Sequence, residues 1–417
     1  MSLRSKLSRL DATGLGHPPP LGNGPQRTEV IEDLRARIRA TLERGAARPR
    51  PPPLVDTVDL PFTTTATASG PLHVRAQRLS AAHRMGRTPV AGALDASSEL
   101  LALLALDPTL AGCDVRRALF LDTETTGLAG GAGTVAFLVG LGFWEGGDGL
   151  VLEQFLVRAL GEEAPMLERV RERIERASML VTFNGKSFDL PLLRTRFVMA
   201  RITPAAEPPH LDLLHVARRI HGKRHGCRLV SLESAVLGFE RIGDVASADI
   251  GAFYMHFLRT GDARALLGVI EHNAWDVIAM AALLGLYGER PQSALGPDDL
   301  AGVARTLRRA GALDQAMDAA NAAVGLGATL QSLRARAEIA KARGDRAHAL
   351  IDFEEIAKTS ADPEICLELA KLYEHWVKAP HVALQWALKG TGETAESSRR
   401  RADRLARKAE GRRRAPT

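Results

Sequence analysis

Three short apolar runs, crowded between residues 118 and 157, constrain the fold of this 417-residue chain most. They are ALFLDTE, GTVAFLVGLGFW and GLVLEQFLV, each bounded by Gly-rich or acidic turns. Their length and tight spacing predict three strands in an antiparallel meander. The pattern then changes to a helix over 162–177 (EEAPMLERVRERIERA), a strand in SMLVTF, and a helix from Ser187 to about Ala200. A fifth strand follows in PHLDLL (209–214), and the chain is mainly helical to Tyr287, ending in a long segment over 262–287. Three antiparallel strands followed by αβαβα predict an α/β domain over 117–290 with a mixed five-stranded sheet.

The flanks read differently. Residues 1–58 carry the patches HPPPLGNGP and ARPRPPPL and are expected to be a mobile Pro/Arg-rich leader. Residues 59–116 form an N-terminal extension, with a helix expected in SSELLALLAL. Beyond the α/β domain, GALDQAMDAA, GDRAHALIDF and KAPHVALQWA align at spacings of 33 and 34 residues. Ala316, Ala349 and Ala383 hold one equivalent position, and Ala304, Ala337 and Ala370 another. This period predicts an all-α helical-repeat domain over 298–389 and resembles tetratricopeptide repeats, where small residues let paired helices pack closely.

No run approaches the ~18 apolar residues of a membrane span, and no membrane partner is expected. Three well-separated cysteines form neither a disulfide framework nor a metal knuckle, so a cytoplasmic setting is expected. The net charge of +6 is concentrated in a basic C-terminal tail over 390–417. Residues 399–417 hold nine Lys/Arg against Asp403 and Glu410. This tail has two readings, a phosphate contact or a solvated disordered end.

The stretch LVTFNGKSFDLPLL (180–193) places Gly-Lys-Ser between a strand and a helix. A phosphate loop needs glycine five residues before the Gly of Gly-Lys-Ser, and Leu180 stands there. The nucleotide-triphosphate reading therefore fails. What remains is Ser187 as a helix cap and Asp189 in the first turn, which alone reads as dipole chemistry. Asp189 is not alone. Asp122 and Glu124 in FLDTETTGL are i and i+2 on a strand and project from one face. His272 and Asp276 in EHNAWDV are i and i+4 on a helix and share one side. Adjacent carboxylates repel unless a cation sits between them, and Mg²⁺ is suited to such hard oxygen ligands.

These motifs resemble those of the four-carboxylate DnaQ-like (DEDD) exonucleases, which have a ribonuclease-H-like fold. FLDTETTGL, LVTFNGKSFDLPLL and EHNAWDV stand for the three motifs, and the DxETTGL and Asn-x-x-x-Phe-Asp patterns are specific. The blocks PHLDLLHVARRI and CRLVSLESAVLGFERIGDV extend the likeness to the YprB-type domain over about 115–288, a family that often carries C-terminal tetratricopeptide-like helices. The resemblance implies 3′–5′ exonucleolytic hydrolysis of phosphodiester bonds with two divalent ions, Mg²⁺ or Mn²⁺. Asp122, Glu124, Asp189 and Asp276 would hold the ions, and His272 would be the general base. His272 departs from the family pattern: its residue type follows the histidine branch, whereas its three-residue gap to Asp276 follows the tyrosine branch.

Asn184 and Lys186 are candidate contacts to a phosphate or nucleotide. Asp212 is a further acid, either near the metals or in structural hydrogen bonding. Nucleic acid, DNA or RNA, is the expected substrate, and the repeats offer a surface for a protein partner. The rival reading is a catalytically silent nucleic-acid-binding or repeat-mediated adaptor, which would be expected to have lost one or more of the acids.

Overall fold

The computed structural model describes residues 59–127, 133–289 and 294–414, with side chains to residue 410. The leader over 1–58 and most of the Gly-rich turn at 128–134 lie outside the described residues. Nine strands are described: β1 (Thr63–Thr67), β2 (Gly70–Arg78), the two-residue pair β3 (Arg84–Met85) and β4 (Thr88–Pro89), β5 (Ala118–Thr125), β6 (Ala136–Trp144), β7 (Leu150–Leu156), β8 (Met179–Thr182) and β9 (His210–Asp212). β5, β6 and β7 form the expected antiparallel meander, and β8 and β9 add to it in parallel through helical crossovers.

The sheet is larger than the five strands read from sequence. Its order is β1-β2-β7-β6-β5-β8-β9, because the β1–β2 hairpin pairs antiparallel with the outer edge of β7. β1 is polar and exposed, whereas β2 alternates Leu72, Val74 and Ala76 with His73, Arg75 and Gln77 and packs Leu72 and Val74 against the core. Together they cover the outer edge of β7, and an all-Thr/Ala strand beside so short an alternation gives little strand signal. The remainder of 59–116 also packs on the domain. Its helix α1 (Ser98–Ala105) is capped by the Ser97 hydroxyl, which accepts the Leu100 amide at 3.2 Å.

The crossovers are α2 (Ala164–Arg176) and α3 (Asp189–Met199), and α4 (Leu213–His221) leaves the sheet directly after β9. A short helix α5 (Leu229–Leu232) runs into a π turn at Glu233–Leu237 and is followed by α6 (Ile250–Thr260). The 25-residue helix α7 (Arg264–Gly288) then lies across β5 and β6. Two glycines on one face of β6 admit it. A Cβ on Gly140 would stand 2.3 Å from Asn273 Oδ1, and one on Gly142 2.6 Å from a Val277 methyl. In length and mean hydropathy α7 passes for a membrane span, a feature not apparent from the search for an unbroken apolar run. Within the domain it is a core helix, and 72% of its most apolar window is buried.

The repeat region forms three helix pairs: α8 (Pro297–Arg309) with α9 (Leu313–Leu326), α10 (Leu330–Ala342) with α11 (Arg346–Thr359), and α12 (Pro363–His375) with α13 (Pro380–Leu388). Ala304, Ala337 and Ala370 fall on the first helix of each pair, and Ala316, Ala349 and Ala383 on the second; all six are fully buried. The first pair shares a hydrophobic core with the sheet. α8 crosses the end of α4 so closely that a Cβ on Gly302 would lie 2.0 Å from the Ile220 carbonyl oxygen. There His221 joins Tyr287 (2.9 Å) to Asp299 (3.0 Å).

Of the two readings of the basic tail, disorder does not hold for its described part. It is a helix, α14 (Ala395–Arg414), anchored by buried Leu405. Arg404 and Lys408 reach the Glu374 carboxylate on α12 at 2.8 and 2.7 Å. These ion pairs offset part of the charge that would otherwise favour an extended end.

Candidate metal and catalytic site

β5 carries Asp122 and Glu124 to its C-terminal end, where the pairing with β6 shifts register between Glu124 and Thr125. Such a bulge re-aims side chains at a strand end. Helix α7 brings His272 and Asp276 over the same place. Ligand atoms of Glu124, His272 and Asp276 all lie within 4.8 Å of one another. Asp122 stands beside this group, its Oδ2 accepting Asn273 Nδ2 at 2.8 Å. Asp189, the first residue of α3, accepts the Thr123 hydroxyl at 2.6 Å. Ser187 does not cap that helix. Phe188 occupies the cap position without a side-chain bond and is half-buried rather than in the core.

The electrostatics match an acid cluster lacking sufficient counter-charge. Burial, then the charges of Asp276, Glu124 and Asp189, push Asp122 well above the usual carboxylate range. Burial, followed by Asp276 and Asp189, does the same to Glu124. Burial raises Asp189 to about 6, with the Thr123 hydroxyl working against it. The principal counter-charge is Arg241. Its side chain is 2% exposed; it donates twice to Glu233 at 2.6 Å, lies 3.3 Å from Asp244 and pairs with Asp276. Burial opposes the Arg241 charge, but Glu233 and Asp276 outweigh it and raise its pKa. Buried hard oxygens that repel one another, with one imidazole beside them, suit a divalent cation.

His272 is 5% exposed. Its Nδ1 lies 2.7 Å from Asp244 Oδ1, and its Nε2 lies 3.7 Å from Asp276 Oδ2. Nδ1 faces both the Asp244 carboxylate, which accepts when ionised, and Arg241 Nη1 at 3.2 Å, which can only donate. The tautomer that satisfies Asp244 has its proton on Nδ1 and presents the Nε2 lone pair.

The three candidate contact residues fall on one loop and its anchor. Asp212 is buried, and its two oxygens accept the amides of Asn184 (2.8 Å), Lys186 (3.1 Å) and Leu214 (3.1 Å). Its hydrogen bonds are thus structural: it shapes the loop and caps α4. Asn184 takes the left-handed conformation (φ 71°), and a Cβ on Gly185 would collide with Thr182. The Asn-Gly pair is therefore set by a tight turn. Lys186 is 39% exposed and lies 3.7 Å from Asp107.

Reading the sequence alone missed Thr123, Gln154, Glu233, Arg241, Asp244 and Asn273. Asn273 sits inside EHNAWDV, and Glu233, Arg241 and Asp244 inside CRLVSLESAVLGFERIGDV. No spacing rule joins a loop arginine to a helix aspartate 35 residues later.

Residues 119–287 match the family model described as the RNase_H superfamily. Over 176 residues the chain is 35% identical to Uncharacterized protein YprB of Bacillus subtilis (strain 168). This part of the chain is a YprB-type ribonuclease-H-like domain. The match to that relative covers 41% of this chain and 42% of the relative. Membership of the superfamily supports a nuclease-type function for the YprB-type domain, with nucleic acid as the class of substrate.

Proposed function

We propose that the YprB-type domain is a metal-dependent nuclease, acting as a 3′–5′ exonuclease with two Mg²⁺ or Mn²⁺ ions. One observation carries this reading: acids from β5, α3 and α7 converge with His272 on a buried spot, although burial and mutual repulsion destabilise their charges. A fold under no functional demand has no reason to keep such a cluster.

Asp122, Glu124, Asp189 and Asp276 are the residues that would hold the ions. When bound, the ions supply Lewis-acid stabilisation of the phosphoryl charge and lower the pKa of the attacking water. His272 Nε2 accepts that water's proton, while Asp244 keeps the ring in the required tautomer and stabilises the imidazolium. Arg241 holds Asp276 and Asp244 in register. As the water oxygen bonds to phosphorus, the bond from phosphorus to the 3′ oxygen breaks. A nucleoside 5′-phosphate leaves and the strand is one nucleotide shorter.

The test uses the purified full chain with 5′-labelled single- and double-stranded DNA and RNA, with and without Mn²⁺, beside Asp122→Ala. Stepwise shortening that needs Mn²⁺ and is lost in the variant is the expected result. No shortening of any substrate, or equal activity in the variant, sinks the proposal. Internal cuts independent of an end would replace the exonuclease by an endonuclease.

A further inference from the structure

The register of the sheet places Asp122 opposite Gly140, Gly140 opposite Gln154, and Gln154 opposite Arg75. These four positions form one row across β5, β6, β7 and β2. Gly140 has no side chain, and Asn273 from α7 occupies the space above it. Arg75 Nη1 donates to Gln154 Oε1 at 2.8 Å. Gln154 Nε2 donates to Asn273 Oδ1 at 2.8 Å and to the Ile270 carbonyl at 2.8 Å. Asn273 Nδ2 donates to Asp122 Oδ2 at 2.8 Å. Gln154 and Asn273 are fully buried.

We infer that Asn273 is a positioning residue for Asp122, held in one amide orientation by a directional chain of hydrogen bonds that begins at Arg75. The physical reason is donor polarity. An amide can turn over and exchange its oxygen with its nitrogen. A guanidinium cannot accept and a carbonyl cannot donate, so Arg75 and the Ile270 carbonyl together fix the Gln154 oxygen toward Arg75 and its nitrogen toward Asn273. That nitrogen fixes the Asn273 oxygen, leaving the Asn273 nitrogen for Asp122. Turning Asn273 over would set oxygen against oxygen at Asp122 and nitrogen against nitrogen at Gln154. One Asp122 oxygen is thereby tied down and the other is left for an ion. The β1–β2 hairpin, outside the five strands read from sequence, becomes part of the support of the site. This inference rests on the metal-dependent reading above.

The experiment measures Mn²⁺ binding to the metal-free full chain by titration calorimetry, alongside kcat, KM for oligonucleotide, and urea unfolding. The variants are Asn273→Leu, Gly140→Ala and Arg75→Met. Supporting groups behind metal ligands typically contribute about ten- to a hundredfold in affinity. Asn273→Leu is expected to weaken Mn²⁺ binding by that amount and to lower kcat with KM unchanged. Gly140→Ala, which displaces Asn273 without removing it, is expected to act in the same direction. Arg75 is only half-buried, so Arg75→Met is expected to keep the unfolding midpoint and to weaken Mn²⁺ binding a few-fold. Wild-type Mn²⁺ affinity in folded Asn273→Leu overturns the proposal; if that variant does not fold, wild-type affinity in Arg75→Met does so. A wild-type protein that binds Mn²⁺ but cuts nothing refutes the nuclease reading alone, and the Mn²⁺ affinities still decide this one. A wild-type protein that binds no Mn²⁺ overturns both.

Discussion

Replacing Asp189 by Asn separates a helix-end carboxylate from one retained for a site. Asp189 is 4% exposed, and burial raises its pKa from 3.8 to about 6. The folded protein therefore binds a proton there that the unfolded chain has already released. A raised folded-state pKa contributes stability below about pH 4, and that stability is lost as pH rises through about 6. The full shift of roughly two units corresponds to about 3 kcal/mol at pH 8, falling to about 1.5 kcal/mol at pH 5. Asp189→Asn removes this titration and also the repulsion that raises Asp122 and Glu124, and both changes favour the variant at high pH, so its stability relative to wild type should improve by at least about 1.5 kcal/mol between pH 5 and pH 8. Any fixed cost of the amide against the amides near Thr123 cancels in that difference. His210 titrates with the opposite sign, since burial and then Lys186 lower it to about 4, but it is common to both proteins and also cancels. The assay is urea unfolding in chelator at the two pH values. A dipole-stabilising carboxylate would instead make the variant less stable by up to ~1 kcal/mol at pH 8. A relative stability that is unchanged or lower at pH 8 refutes the reasoning.

Three further outcomes follow from the same geometry. Arg241→Met should lower urea stability by about 3–5 kcal/mol, because Glu233 and Asp276 lose a buried partner. Asp244→Asn should lower kcat by about a hundredfold with Mn²⁺ affinity little changed, measured by single-turnover cleavage beside calorimetry, because His272 loses the carboxylate that orients it. Gly302→Ala should lower the unfolding midpoint, at a cost of about 1–3 kcal/mol, because the added carbon would press on the Ile220 carbonyl.

The meander was legible because buried strands concentrate apolar residues at short spacing, and the repeats because close helix pairing demands small residues at a fixed period. Strand periodicity paired Asp122 with Glu124 and helix periodicity paired His272 with Asp276, whereas Asp189 joined them only through the resemblance of its motif. The β1–β2 hairpin was not legible, since β1 is only Thr and Ala and the apolar face of β2 is limited to Leu72, Val74 and Ala76. The disordered reading of the C-terminal tail does not hold for its described part, where Arg404 and Lys408 meet Glu374, a residue remote in sequence. Asp212 had two readings, an acid near the metals or a structural hydrogen-bonding residue; in the fold its oxygens accept backbone amides.

By itself, then, the sequence determined the meander, the crossover elements, the helical repeats and the acid-bearing motifs, because those choices depend on neighbours a few positions away. Tertiary structure alone decided that Arg241 neutralises Asp276, that Asp244 orients His272, and that Gly140 makes room for Asn273 beside Asp122. Each of these joins residues on different elements, and only sheet register and the path of α7 bring them within hydrogen-bonding distance or direct contact.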